Sequence, residues 1–236
     1  MREILGRRLR RLLGAATPGR VWGSPRHDAP AVLLDAALTC ATAWQWPVLP
    51  GVGSVPAADG GERCACPDPD CVVPGAHPFD PGLLAATTDE RMVRWWWTNR
   101  PTAPVILATG GRAPCAVSLP AAAGGSALRR LGATGVRLGP VVATPTRMSI
   151  LVAPYSLERL GELLYAKDGV PSSLRFHGEG GYLALPPSRV RGGRVRWERA
   201  PLAGSARPWL PDVEAVVDAL VEASSGASDG GSRLAY

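Results

Sequence analysis

Val105-Ile106-Leu107-Ala108-Thr109-Gly110-Gly111 leads through Arg112-Ala113-Pro114 into Cys115-Ala116-Val117-Ser118-Leu119. Four apolar residues closed by paired glycines predict a buried strand and a tight turn, and the second apolar run predicts another strand. Upstream, 87–90 reads as a capping box, with Thr87 as N-cap and Glu90 three residues on. The helix it opens carries Met92, Val93, Trp95, Trp96 and Trp97, and Pro101 stops it. Further back, Asp28 with Pro30 close behind opens a helix to about Trp44. Downstream, a short helix is expected over 126–131 and two strands over 141–144 and 148–153, about a turn at Pro145-Thr146-Arg147. A helix over 157–165 follows. Strands over 174–176, 182–185 and 195–198 and a helix over 212–222 complete the chain. Interleaved helices and hairpin-linked strands place the chain in the α+β class. The expected organisation is a basic N-terminal helix and linker (1–27), one domain (28–222) and a Ser/Gly-rich disordered tail (223–236).

The 236 residues carry a formal charge of +6, which favours polyanionic partners. Lys167 is the only lysine and Asn99 the only asparagine, the bias of a GC-rich coding sequence, so arginine alone is not a sign of function. No apolar run reaches the roughly 20 residues of a membrane span. The N-terminus is basic and lacks the continuous apolar stretch of a secretory signal. Five cysteines, an odd number, suit a reducing compartment. A cytoplasmic location is the expectation. In the N-terminal helix, Leu5, Leu9, Leu12 and Leu13 share a face ringed by Arg7, Arg8, Arg10 and Arg11. Such a face docks on its own protein, or it meets nucleic acid or a membrane surface.

Residues 51–82 are rich in Gly, Pro and Cys and read as a long loop, which in a compact domain needs a function or an internal staple. Cys64, Cys66, Cys71 and His77 lie within it, and a Cys₃His set suits tetrahedral zinc. Prolines 67, 69, 74 and 78 stiffen the loop and lessen the entropy lost on closing around a metal. Four protein ligands leave no open position, so a structural zinc is expected rather than a catalytic one. The bland alternative is a set of reduced thiols with His77 in a surface turn.

Several pieces then fall in one order: Trp46-Pro47-Val48-Leu49-Pro50, the Cys/His loop with Pro74-Gly75-Ala76-His77-Pro78, Ala86-Thr87-Thr88-Asp89, Trp95-Trp96, Ala108-Thr109-Gly110, Thr144-Pro145, and 180–188, which reads GGYLALPPS. Over about residues 30 to 200 the chain resembles the N-terminal catalytic domain of bifunctional DNA primase/polymerases, of the archaeo-eukaryotic primase superfamily. The resemblance implies two lobes, an α/β lobe and an RRM-like lobe, with the active site between them, and makes the Cys/His loop a zinc-binding element. It also implies an Asp-x-Asp pair after the Ala-Thr-Gly turn, a His after Thr-Pro that meets nucleotide phosphate, and a third Asp before the Gly-Gly-Tyr strand. Those carboxylates would hold the divalent cations of phosphoryl transfer.

This chain departs at each place. The Asp-x-Asp positions hold Ser118 and Pro120, the His position holds Ile150, and the third Asp position holds Arg175. From Arg91 to Leu157 there is no Asp or Glu, while there are eight arginines, Arg91 included. Catalytic Mg²⁺ or Mn²⁺ is therefore expected to be absent, and polymerisation with it. Asp168, Glu179 and Glu198 are the carboxylates that could stand in, and no pair of them has the spacing of one strand face. Arg147, Arg175, His177, Arg189 and Arg191, with Arg194 and Arg196 beside them, would instead make a cleft for nucleic acid or nucleotide phosphate. Alternation along an exposed ribbon would also put arginines 189–199 on one outward face. The expected function is an inactive primase/polymerase-like domain that binds DNA or nucleotide and works beside separate replication or repair proteins. The alternatives are an active template-dependent primase/polymerase and a non-catalytic protein-interaction module.

Overall fold

A computed structural model describes residues 30–228 except 59, 134, 136, 168 and 203. The expected basic helix, the Asp28 cap, Asp168 and the last residues of the tail lie outside that range.

Helix α1 (Pro30–Leu38) runs into a π-helical turn (Thr39–Ala43). Gln45, at φ 57°, ends it, and its Nε2 donates to the carbonyls of Ala41 (3.1 Å) and Thr42 (2.9 Å). The side chain thus satisfies carbonyls that the helix end leaves open. Strand β1 (Val48–Pro50) follows, then the hairpin of β2 (Ser54–Pro56) and β3 (Glu62–Cys64). Helix α2 (Glu90–Asn99) is capped by Asp89, whose carboxylate accepts from the Met92 amide at 2.8 Å. The cap therefore falls two residues after Thr87. Thr87 is held in an antiparallel bridge to Val48, and its hydroxyl accepts from the Asp89 amide at 3.1 Å. Trp96 and Trp97 are buried, while Trp95 is 61% exposed, as their 100° steps require.

Next come β4 (Val105–Ala108), β5 (Cys115–Pro120), α3 (Ala121–Ala133), β6 (Val141–Ala143), β7 (Arg147–Val152), α4 (Leu157–Tyr165) and β8 (Arg175–His177). The chain continues through β9 (Tyr182–Leu185), the short hairpin of β10 (Arg189–Val190) and β11 (Gly193–Arg194), β12 (Arg196–Arg199) and α5 (Val213–Ser228). Helix α5 passes through the Ser/Gly residues at 224–226 that were expected to lie in the tail.

Two antiparallel sheets organise these elements. One has the order β1-β4-β9 and the other β12-β6-β7-β5-β8. Within the larger sheet, β5-α3-β6-β7-α4-β8 is a βαββαβ unit of the split-βαβ type. Alternation along β5 sends Cys115, Val117 and Leu119 to a core shared with Leu131 of α3, Leu163 of α4 and Val216, Val217 and Leu220 of α5. Ala116 faces the other way and joins the core built from α1, α2 and the smaller sheet. Each fully buried leucine or valine there contributes about 1.5–3 kcal/mol through removal of apolar surface from water.

The two sheets are stitched where the sequence turns on glycine. The Thr109 amide donates to Gly181 O (2.9 Å), and the Thr109 hydroxyl donates to Gly178 O (2.6 Å). Gly110, at φ +95°, lies so close that an added Cβ would sit 2.3 Å from Glu179 Cα. The Ala-Thr-Gly and Gly-Gly-Tyr segments are therefore one joint. It fixes the start of β9 against the end of β8, and so the place of His177.

Candidate functional site

Strands β5, β7 and β8 lie side by side, so register decides what they present. Ser118 is opposite Ser149 on β7 and Arg175 on β8, and Pro120 is opposite Arg147. These five positions share the sheet face turned away from α3 and α5. Ile150, the expected counterpart of a histidine, lies opposite Val117 and is fully buried in the α3/α5 core. Its neighbour Ser149 is the residue that reaches the open face.

That face floors a cleft of about 580 Å³. Ser118, Arg147, Ser149 and His177 line it on the large sheet. Tyr182–Ala184 line it on the smaller one, and Cys71–Pro74 with Ala76 form a wall from the Cys/His loop. Thr144–Thr146, Val190 and Arg191 complete the rim. Among the described residues, no acidic side chain lines it. The Arg191 amide donates to Pro74 O at 3.5 Å, which joins the rim to the loop.

Arg147 lies across the sheet from β7, over β5, to the segment leading into β8. Its Nε donates to Ser118 Oγ (3.0 Å), and its Nη2 donates to Ser118 O (2.8 Å) and Ser173 O (2.9 Å). Guanidinium nitrogens only donate, so Ser118 Oγ accepts here and its own hydrogen is available to His177 Nε2 at 3.1 Å. The result is a chain of donors from Arg147 through Ser118 to a neutral imidazole. Burial, the Arg147 charge and the Arg175 charge hold His177 below its usual range, against a backbone hydrogen bond at Tyr182. Burial and the neighbouring Arg175 likewise lower Arg147. The field in the cleft is thus positive, with no acid among the described residues of its lining.

The other expected residues fall elsewhere. Arg189 points to Glu62 on β3, with Nη2–Oε1 at 3.8 Å. Arg196 pairs with Glu198 along β12, at the sheet edge opposite β8. Glu179 is exposed in the turn after His177. Neither Glu198 nor Glu179 reaches the cleft lining.

In the loop, Cys64, Cys66, Cys71 and His77 converge, with their ligand atoms all within 4.8 Å of one another. His77 Nε2 is 3.3 Å from Cys64 Sγ and 3.4 Å from Cys71 Sγ. Tetrahedral ligation at ordinary metal–S and metal–N lengths would set such pairs about 3.6 Å apart. His77 Nδ1 lies 2.9 Å from Pro78 O, a contact that leaves Nε2 as the ligating nitrogen. Burial pushes the Cys64 thiol up. Hydrogen bonds from the Cys66 and Gly75 backbones and the Cys66 and His77 side chains outweigh it and bring the thiol to about 6. The four residues fit one metal ion.

What sequence reasoning missed was Ser149 and the role of Ser173 O. Ser149 was within reach of strand alternation once β5 was paired with β7. Ser173 contributes only its carbonyl, which no side-chain pattern announces.

No curated protein and no solved structure matches the chain. The family model of the bifunctional DNA primase/polymerase N-terminal domain matches residues 37–213, which take in both sheets, the Cys/His loop and the cleft. By that match, the chain belongs to the bifunctional DNA primase/polymerase N-terminal (Prim-Pol) family.

Proposed function

We propose that residues 28–222 form a primase/polymerase-like domain that binds nucleic acid or nucleotide through phosphate and does not polymerise. One observation carries this reading. On the sheet face that floors the cleft, β5, β7 and β8 carry Ser118, Ser149 and Arg147, with Arg175 exposed on the same face beside the lining, and no carboxylate. Two-metal phosphoryl transfer needs acidic oxygens to hold its cations, and hydroxyls with guanidinium groups do not supply them. The same groups suit phosphate oxygens, with which arginine makes strong charge-assisted bonds.

On this reading the two sheets and their cores are the family's α/β and RRM-like lobes, and the cleft is the family's interlobe groove. The Cys₃His set holds a structural zinc, and its chemistry of three sulfurs and one imidazole favours that ion. Arg147, Arg175, His177 and Arg191 face the phosphate, and Arg189 contributes charge from beyond the rim. The protein acts in the cytoplasm beside separate replication or repair enzymes.

The test is fluorescence anisotropy of labelled single-stranded DNA with the full chain at rising salt. Binding should weaken steeply with salt and fall on charge reversal at Arg147 and Arg175. No binding at low salt would leave the protein-interaction reading in its place.

A further inference from the structure

We infer that the Arg147 guanidinium takes the place of a divalent cation in the cleft, so that the cleft holds the polyphosphate of a nucleotide without a divalent metal. This rests on the reading of the cleft as a nucleotide site and deepens it.

The donor set does not fit a hard cation. Magnesium and calcium take oxygen ligands, carboxylates first among them. Here the floor hydroxyl Ser118 Oγ already accepts from Arg147 and bonds His177. A dication would also face Arg147 and Arg175, and it would gain no acid to offset that repulsion.

The geometry fits an anion instead. Arg147 has five N–H donors. One on Nε and two on Nη2 are spent on Ser118 Oγ, Ser118 O and Ser173 O, and the two on Nη1 have no partner among the described residues. The three bonds that are made lock the side chain, so little freedom remains to be lost when a ligand arrives. Arg175 stands across Ser118 from β8, close enough for its charge to be felt at Arg147. Two guanidinium groups held near one another without an acid are each stabilised by a shared anion. Arg191 adds a third cation at the rim.

The size and the far wall favour a nucleotide over a single phosphate. The cleft's roughly 580 Å³ is in the range of small-molecule sites. Val72 and Val73 in the loop wall are exposed apolar side chains, suited to lie against a base.

The experiment is isothermal titration of the full chain with inorganic tripolyphosphate and, separately, with deoxyadenosine triphosphate, each in EDTA and in excess Mg²⁺. Both ligands should bind in EDTA, and Mg²⁺ should leave binding unchanged or weaken it, because it competes for the same phosphate oxygens. Tighter binding of deoxyadenosine triphosphate than of tripolyphosphate places the base on the valine wall. Equal binding confines recognition to phosphate and supports the same metal-free site. Arg147→Gln should weaken both ligands roughly tenfold or more. Arg175→Gln, at an exposed side chain, should weaken them severalfold with no change in melting temperature, which keeps the test sound if the first variant folds poorly. Binding that needs Mg²⁺, or wild-type affinity in both variants, overturns the inference. Should labelled single-stranded DNA bind in EDTA while both triphosphates fail, this inference falls and the broader reading stands. Should nothing bind, both fall.

Discussion

Ser118 and Arg147 show how one hydroxyl organises the floor of the cleft. The Ser118 hydroxyl accepts a guanidinium N–H and donates its own hydrogen to His177 Nε2, whereas a carboxylate there would carry a negative charge and could only accept. Removing Arg147 leaves Ser118 O, Ser118 Oγ and Ser173 O short of a donor. Arg147→Ala should therefore destabilise the fold by about 1–3 kcal/mol, read by urea denaturation. His177 gives a pH signature. Its folded pKa lies below the ordinary 6.5 because of burial, Arg147 and Arg175. Between the folded value and 6.5 the unfolded chain takes up a proton that the native protein does not, so stability is full above 6.5 and falls as pH drops through that window. His177→Gln should flatten this part of the stability–pH curve. Ser118, Arg147, Arg175 and His177 were singled out from nearby motifs, and the strand register sets them side by side. Ile150, by contrast, lies in the core and not on the cleft face. A shift of one residue on a strand exchanges the cleft face for the core, and spacing from Thr144-Pro145 does not fix the register.

Local signals worked best where an element carries its own start and stop. Helix α4 begins at its Ser156 cap and ends where 157–165 was expected to end. Strand β9 likewise keeps the bounds of its apolar run. The capping residue of α2 was misread because Thr87 belongs to a β-bridge with Val48, a long-range pairing that no local pattern reveals. The hairpin of β2 and β3 was hidden for a similar reason. Its residues are mostly exposed and Pro-containing, with little apolar alternation to mark them. Gly110 is the glycine that joins elements. Gly110→Ala would force a Cβ against the backbone at Glu179 and impose a positive φ on alanine, and should cost at least about 2 kcal/mol, measured by thermal unfolding. In the loop, a bound metal would hold Cys71 and His77 beside the cleft wall. A strong chelator should release one equivalent of zinc and expose thiols to Ellman's reagent. It should also lower the melting temperature, and Cys71→Ser should mimic it. Retention of the melting temperature after full metal loss would count against a structural role.

The order of motifs along the chain carried the family, and the match over residues 37–213 agrees with it. The sheet orders, and the joint between Thr109 and Gly178–Gly181, became visible only in three dimensions, since they depend on contacts about 70 residues apart. Trp46, Trp96 and Trp97 are core, whereas Trp209 is 42% exposed beneath Arg137, whose guanidinium lies 4.0 Å from the ring. The charge of the whole chain and a cleft lining without acids among the described residues lead to one functional expectation: phosphate is held and no bond is made. The direct measurement is extension of a labelled primer on a DNA template by the full chain with deoxynucleotides and Mn²⁺. A primer that stays its original length while the protein still binds DNA is the expected result. Manganese-dependent, template-directed elongation would contradict it, since acidic ligands would then have to assemble around metal in a cleft lined by serine, histidine and arginine.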